Sequence, residues 1–512
     1  MNASSSKEAL RFRGRSTSFG ELDELSRRYA RGLTSLGVMQ GDRVAVLAES
    51  SPSVVVALLG HHRLGVVHVP VNPRYRAAEV RHILRDSGAA AVLYQPGSEG
   101  ADILDALESE GALAAVRRIA LDADAPVPAA GSASGASSTS YVRLLASSPL
   151  EDSSRAPLDE DTAVLVYTSG TTGTSKGVAL STRAIVENVE SLTHLWRFGS
   201  RDVLALALPL FHVHGLFLGI LGALLHGMKT LLFERFDAVR IVEAFASEGA
   251  SVFMGVPTMY VKLLEAMAAR PEAAAALGRG RLFTSGSAPL PADDFHAFEA
   301  ATGHRILERY GMTETLFTLS NPYDGERRPG TVGQPVPGCA VRVVDDAGQD
   351  APNGELGELV VQSNGLMTRY WGRPDDTAAS FRDGWFMTGD MAHQSPDGHV
   401  TIAGRKAVDF IKSGGFKIST REVEDVLRRH SRVADVAVFG APDRVFGERV
   451  AVAVVMRPAV GPRPDDATLL AELYAFAARS LTEYKLPREI VVLDELPRNA
   501  LGKVQKHLLR PR

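Results

Sequence analysis

At 512 residues the chain is too long for one compact core, and at roughly 150 residues per domain it predicts three or four domain-sized units. Apolar residues at 45% and charged residues at 23% place it with globular chains and exclude the disordered and fibrous classes. Its 56 Lys and Arg against 60 Asp and Glu leave a net charge of −4, with no basic excess to follow a phosphate backbone, so a nucleic-acid partner is not expected.

Cys339 is the only cysteine, which forbids an intramolecular disulfide and a thiolate metal cluster and suits a reducing, cytoplasmic setting. The opening MNASSSKEALRFRGR has no apolar run after its polar start, so no secretory signal is expected. The apolar stretch from Gly215 to Leu225 falls short of the roughly 20 residues that a membrane span requires, so no membrane attachment is expected.

From Phe19 to about Tyr94, amphipathic ELDELSRRYARGLTSLG, β-rich DRVAVLAE and helical SVVVALLGHHRLG alternate, as in a parallel-sheet α/β architecture. Asp122 to Ser140 is small, polar and Pro-containing, and predicts a surface loop or insertion. A second α/β unit is expected from Asp161 to Thr318, with strands at AVLVYT, VLALALPL, KTLLF, SVFMGVP and RLFTSG and a helix at DAVRIVEAFASEG. Between Gly330 and Gly404 the pattern turns Gly-punctuated and β-rich, predicting a small barrel or distorted antiparallel sheet. After Arg405 the order αββαβ, with a helix over Leu470 to Leu481, predicts a separate α+β domain. The expected domains are therefore 1–404 and 405–512.

The strongest motif follows the strand ending at Tyr167: Thr168, Ser169, Gly170, Thr171, Thr172, Gly173, Thr174, Ser175, Lys176, Gly177. Hydroxyls and peptide N–H groups at this density donate to phosphate oxygens, glycine lets the backbone approach, and lysine adds a mobile charge. The motif is not a Walker A loop, because Ser175 stands at the second glycine and Gly177 at the metal-binding Ser/Thr.

YTSGTTGTSKG resembles the phosphate loop of the adenylate-forming superfamily, which includes acyl-CoA synthetases, luciferases and peptide-synthetase adenylation domains. The commoner form carries proline where Ser175 stands. Further segments resembling the superfamily's signatures follow in order to the C-terminus. The resemblance implies a large N-terminal domain of two α/β subdomains and a small β-barrel-like one, with a smaller mobile α+β domain behind it.

It also implies roles for single residues. Gly286, Ser287 and Ala288 in SGSAPLP would line the adenine, and ERYGMTET would supply Glu308, Arg309, Tyr310, Gly311 and Met312 around the nucleotide. Tyr310 would stack on the base, Thr313 would touch the α-phosphate, and Glu314 with Thr168 would hold Mg2+. Asp390 and Arg405 match the ribose-binding pair, and Lys503 in PRNALGK matches the lysine that stabilises charge as the acyl adenylate forms. Lys412, Ser413, Gly414, Gly415 and Phe416 resemble the loop that admits the pantetheine arm of coenzyme A. GRKAVDFIKSGGF is one residue longer than the commoner spacing, leaving the hinge open between Lys406 and its neighbours.

The acid pocket is expected between LPLFHVHGL, FMGVPTMY and ERYGMTET. No aspartate lies near His212 to Gly215 to meet an α-ammonium group; His212, Val213 and His214 stand there instead. Arg309 is expensive to bury without an anion, so the acid is expected to carry a second carboxylate. ERYGMTET, SNPYDGERRPGTVG and LPRNALGKVQK together resemble the branch that activates malonate and often methylmalonate, and that resemblance implies that His212 and His214 flank the site while Val213 and Met312 bound the α-substituent. The expected function is an ATP-dependent, AMP-forming acid–CoA ligase for a short diacid, with another small or fatty acid, or transfer to a carrier protein, as alternatives. Monomer and homodimer both stay open.

Overall fold

The computed structural model describes residues 5–121, 140–150, 160–168, 175–406, 409–413, 416–458, 464–498 and 504–509. Most of the expected 122–140 loop, phosphate-loop residues 169–174, Gly414, Gly415 and Lys503 lie outside them.

Four sheets organise the chain. The first has seven strands in the order Arg369–Tyr370, Lys176–Ser181, Thr162–Thr168, Val67–Val71, Arg43–Leu47, Ala91–Tyr94, Arg117–Ala120. The second has nine, running Gln334–Pro335, Leu316–Ser320, Leu307–Met312, Leu282–Ser285, Val252–Gly255, Val203–Leu206, Lys229–Leu232, Glu8–Phe12, Arg15–Ser18. Strands and helices form where the sequence pattern places them, but the expected unit from Asp161 to Thr318 does not hold as one sheet. Its first hairpin, Thr162–Thr168 with Lys176–Ser181, closes the first sheet, while the N-terminal pair Glu8–Phe12 and Arg15–Ser18 crosses to the second. Alternation of apolar residues marks a strand but carries no information about which distant strand it will join.

Local signals fix the elements that support the sheets. The helix Phe19–Ser35 starts at a capping box between Ser18 and Glu21 and buries Phe19, Leu22, Tyr29 and Leu33. The helix Pro52–Leu64 has proline in its first turn and ends at Gly65, whose φ of +68° suits a residue without a Cβ. Leu10, Val44, Val164 and Leu204, drawn from both sheets, belong to one apolar core, so the two sheets pack as one body.

The third sheet is antiparallel, with Cys339–Val344, Gly357–Ser363, Trp385–Gln394, Phe381–Arg382 and Val400–Arg405. Beyond it, a hairpin of Phe410–Ser413 and Phe416–Ser419 precedes the helix Thr420–Leu427, the strands Val433–Asp443 and Gly447–Met456, the helix Asp466–Ala477 and the strand Glu489–Leu493. This is the expected αββαβ order with a hairpin added in front. The expected helix at Leu470 to Leu481 begins and ends about one turn earlier, at Asp466 and Ala477, because Asp465 caps it through the Thr468 N–H. Among the described residues no helix is long and apolar enough to cross a membrane.

Candidate active site

The site is built on the strand Leu307–Met312. Successive side chains of a strand point to opposite faces, so Glu308 and Tyr310 leave on one side and Arg309 on the other. One short segment thereby presents different side chains to two faces.

On the Tyr310 side, the phenol donates to Asp390 Oδ2 at 2.6 Å, and Arg405 Nε lies 3.0 Å from Asp390 Oδ1. Asp390 and Arg405 face each other across neighbouring strands of the third sheet, which sets their separation. Burial, then the Asp390 charge, raises the Tyr310 phenol, so it stays a donor. Glu314 is buried and accepts from the Tyr370 hydroxyl at 3.1 Å; burial raises its carboxyl, partly offset by that hydrogen bond. Among the described residues Glu314 forms no ion pair, which leaves a buried carboxylate suited to a hard cation bridging phosphates. Glu308 is also buried and pushed up to about 7 by burial, against hydrogen bonding from the Gly330 N–H at 2.9 Å. Its observed contact therefore braces the Gly330 turn.

Thr168 and Lys176 pair directly across the first sheet and bracket the phosphate loop as the two ends of a hairpin. Lys176 Nζ lies 2.8 Å from Asp376 Oδ1 and 5.1 Å from the centre of the Tyr370 ring. Gly311 sits at a bulge where a Cβ would come within 2.0 Å of the Leu316 carbonyl oxygen, so glycine is required there by packing. Ser287 adopts a φ of +69° between Gly286 and Ala288, a left-handed backbone that is uncommon for serine and recurs at functional sites.

On the other face, Arg309 is 4% exposed, its Nε and one terminal nitrogen have no hydrogen-bond partner, and its guanidinium lies 4.9 Å from the Phe317 ring centre. It packs on Gly286, where a Cβ would fall 2.6 Å from Cζ. His214 opens the wide helix His214–Leu221 and is buried with both ring nitrogens unpartnered; Ser285 Oγ and Thr284 Oγ1 are unpartnered as well. Burial pulls His214 well below its usual range, helped by the Arg309 charge, and pulls His212 down to about 4, so both rings are neutral at pH 7. Burial also lowers Arg309, to about 9, where it remains charged at pH 7. Val213 and Met312 are half-buried against the large core, and the Met312 sulfur lies 3.9 Å from the Tyr310 hydroxyl.

The sequence did not single out Tyr370 and Asp376, which the short strand Arg369–Tyr370 and the helix Pro374–Ala379 bring to Glu314 and Lys176. Ser413 is buried and pairs with Gly447, Lys412 is exposed, and Phe416 stacks on Tyr484 with centroids 4.2 Å apart. The structure thus joins Tyr310, Asp390 and Arg405, sets Tyr370 on Glu314 and Asp376 on Lys176, and places the hairpin bearing Lys412 and Phe416 on the C-terminal sheet. Lys506 lies 2.9 Å from Asp409 and 2.8 Å from Glu424, inside the C-terminal domain.

A sheet-borne carboxylate and arginine pair, a hydroxyl-rich hairpin loop and a small trailing domain define a nucleotide-binding ligase fold. Residues 1–371 match the AMP-binding enzyme family, and residues 422–503 match the AMP-binding enzyme C-terminal domain. The chain belongs to the AMP-binding enzyme family, with a large N-terminal domain and a smaller C-terminal one. Among relatives, the malonate–CoA ligase of Arabidopsis thaliana is 35% identical, covering 93% of this chain and 78% of that protein. The indoleacetate–CoA ligase of Aromatoleum aromaticum is 36% identical over 98% of this chain and 94% of its own. The crystal structure of ATP-bound MatB from Rhodopseudomonas palustris superposes with a TM-score of 0.88 at 34% identity, covering 98% of this chain and 95% of that one.

Proposed function

We propose that the protein is an ATP-dependent, AMP-forming ligase that joins a short dicarboxylic acid, malonate foremost and methylmalonate next, to coenzyme A. Relatives of equal identity bear the names of different acids, so identity alone does not choose the substrate. The observation that carries the choice is the Arg309 guanidinium, buried beside two neutral histidines with two of its three nitrogens unpartnered among the described residues. Of these three basic side chains only Arg309 is charged at pH 7, which matches one extra carboxylate. A monoacid would leave that cation buried and unpaired, at a cost of about 2 to 5 kcal/mol.

In this reading the distal carboxylate is held by Arg309 in a bidentate fork. His214 and Ser285 are at hand as neutral donors, and Val213 and Met312 bound the α-carbon. The proximal carboxylate points past Thr313 toward the α-phosphate. Its oxygen attacks phosphorus, the bond to the β-phosphate breaks, and pyrophosphate leaves with the Thr168–Lys176 loop on its oxygens. The fork on the distal group orients the proximal one, so binding energy is spent on alignment. Gly286 to Ala288 and Tyr310 flank the adenine, and the Asp390 carboxylate, set by Arg405, takes the ribose hydroxyls. Glu314 and Thr168 would hold Mg2+, which supplies charge neutralisation on the phosphates. Lys503 stabilises the negative charge of the first step.

The hairpin with Lys412 and Ser413 through Phe416 then admits the thiol of coenzyme A. Sulfur attacks the acyl carbonyl, the carbon–oxygen bond to AMP breaks, and the thiol proton passes to solvent. In this reading the domain junction falls at about Arg405. Lys406 ion-pairs with Glu358 and Asp346 of the large domain, whereas Asp409 is held by Lys506 of the small one. The lone Cys339 suits a reducing compartment such as the cytoplasm.

The test is pyrophosphate release with MgATP against malonate, methylmalonate, succinate, sulfoacetate, acetate, indoleacetate and octanoate. Short dianions should lead; monoacids turning over equally well would overturn the choice of acid. Lys503→Ala is expected to abolish adenylation yet spare thioester formation from supplied acyl adenylate, measured as separate half-reactions.

A further inference from the structure

The helix Ala77–Ser87 grips both ends of the phosphate loop. Its Asp86 accepts from the hydroxyl of Tyr167, the residue before Thr168 where the loop begins, at 2.7 Å. Its His82, one turn earlier on the same helix face, lies with Nε2 2.8 Å from the carbonyl oxygen of Ser175, the residue before Lys176 where the loop ends. A carbonyl oxygen only accepts, so Nε2 carries the proton. The His82 ring also stands edge-on to Tyr167, with centroids 6.0 Å apart and planes at 89°. The strands pair Thr168 with Lys176, so the hairpin fixes the two ends relative to each other. That pairing engages the peptide between Ser175 and Lys176 at one end only, and no proline ring locks the φ of Ser175, so the carbonyl end is held by His82.

We propose that His82 is a positioning residue for the phosphate loop: its hydrogen bond to the Ser175 carbonyl sets the peptide that aims Lys176 at the phosphates of ATP. His82 does not touch the reacting atoms. It acts on ATP through the loop and leaves the acid pocket, on the far face of Leu307–Met312, alone. The proposal rests on the reading that the Tyr167–Lys176 segment holds ATP.

The test compares His82→Met, which keeps side-chain volume without a donor, with His82→Gln, whose amide N–H can reach the same carbonyl. Pyrophosphate release is measured at varied ATP and at varied malonate. Losing one hydrogen bond predicts that His82→Met raises the KM for ATP about 3- to 10-fold, with the KM for malonate moving less than about twofold. His82→Gln recovers most of the ATP affinity. His82→Ala repeats the test should the Met variant misfold. An ATP KM within twofold of wild type in the donorless variants would overturn the role of His82, as would equal loss in the Gln and Met variants or parallel loss for both substrates. Wild-type protein that binds no ATP by calorimetry and releases no pyrophosphate would defeat the reading of the loop, and the inference with it.

Discussion

The two faces of the strand Leu307–Met312 present their polar groups in opposite states. On the Tyr310 face the polar groups already satisfy one another: Tyr310 and Arg405 hold Asp390, Tyr370 holds Glu314, and Asp376 holds Lys176. On the Arg309 face, Arg309, His214, Ser285 and Thr284 keep buried donors or acceptors without partners. A nucleotide must exchange hydrogen bonds for others of similar worth, so each contact on its side is individually modest. An anion arriving at Arg309 relieves a desolvated charge, so a single residue there carries a large effect.

The largest break of this contrast is Arg309→Leu. It should lower kcat/KM for malonate by about two to three powers of ten and leave propionate little changed, read from pyrophosphate release with each acid. On the nucleotide face, Asp390→Asn keeps the shape and loses the charge, and should raise the KM for ATP about 10-fold, the scale of a charge-assisted hydrogen bond. Tyr370→Phe removes the hydrogen bond on Glu314 and should shift half-saturation for Mg2+ by about 3-fold, measured by titration at fixed ATP.

How much of this was open to the sequence depends on whether the controlling interaction was local. The strand at Thr162–Thr168, the capped helix at Phe19–Ser35 and the αββαβ order of the C-terminal part are legible because caps, periodicity and turn residues act over a few positions. Arg309 was legible because an arginine in an apolar pocket segment is costly wherever the chain places it. Tyr370, Asp376 and His82 were not. Each meets the site only through pairings of high sequence separation, such as Arg369–Tyr370 against Lys176–Ser181, and none lies in a pattern that sets it apart from a surface residue. The crossing of Glu8–Phe12 into the second sheet was hidden for the same reason.

A separate effect is on stability. The Glu308 carboxyl titrates at about 7 in the folded protein against an ordinary 4.5, because burial disfavours its charge. The folded state binds more protons between those values, so this contribution is full below 4.5 and is lost as pH rises through about 7. Glu308→Gln should remove that dependence. Between about pH 5 and pH 8 the melting temperature of wild type should fall relative to the variant, by the equivalent of about 2 kcal/mol or less.

The most direct measurement of the central claim, that one strand sorts two substrates onto opposite faces, is the pair of KM values for acid and for ATP in both Arg309→Leu and Asp390→Asn. The expected pattern crosses: Arg309→Leu raises the KM for malonate and leaves that for ATP, while Asp390→Asn does the reverse. If both constants rose together in each variant, the two faces would not be separate sites.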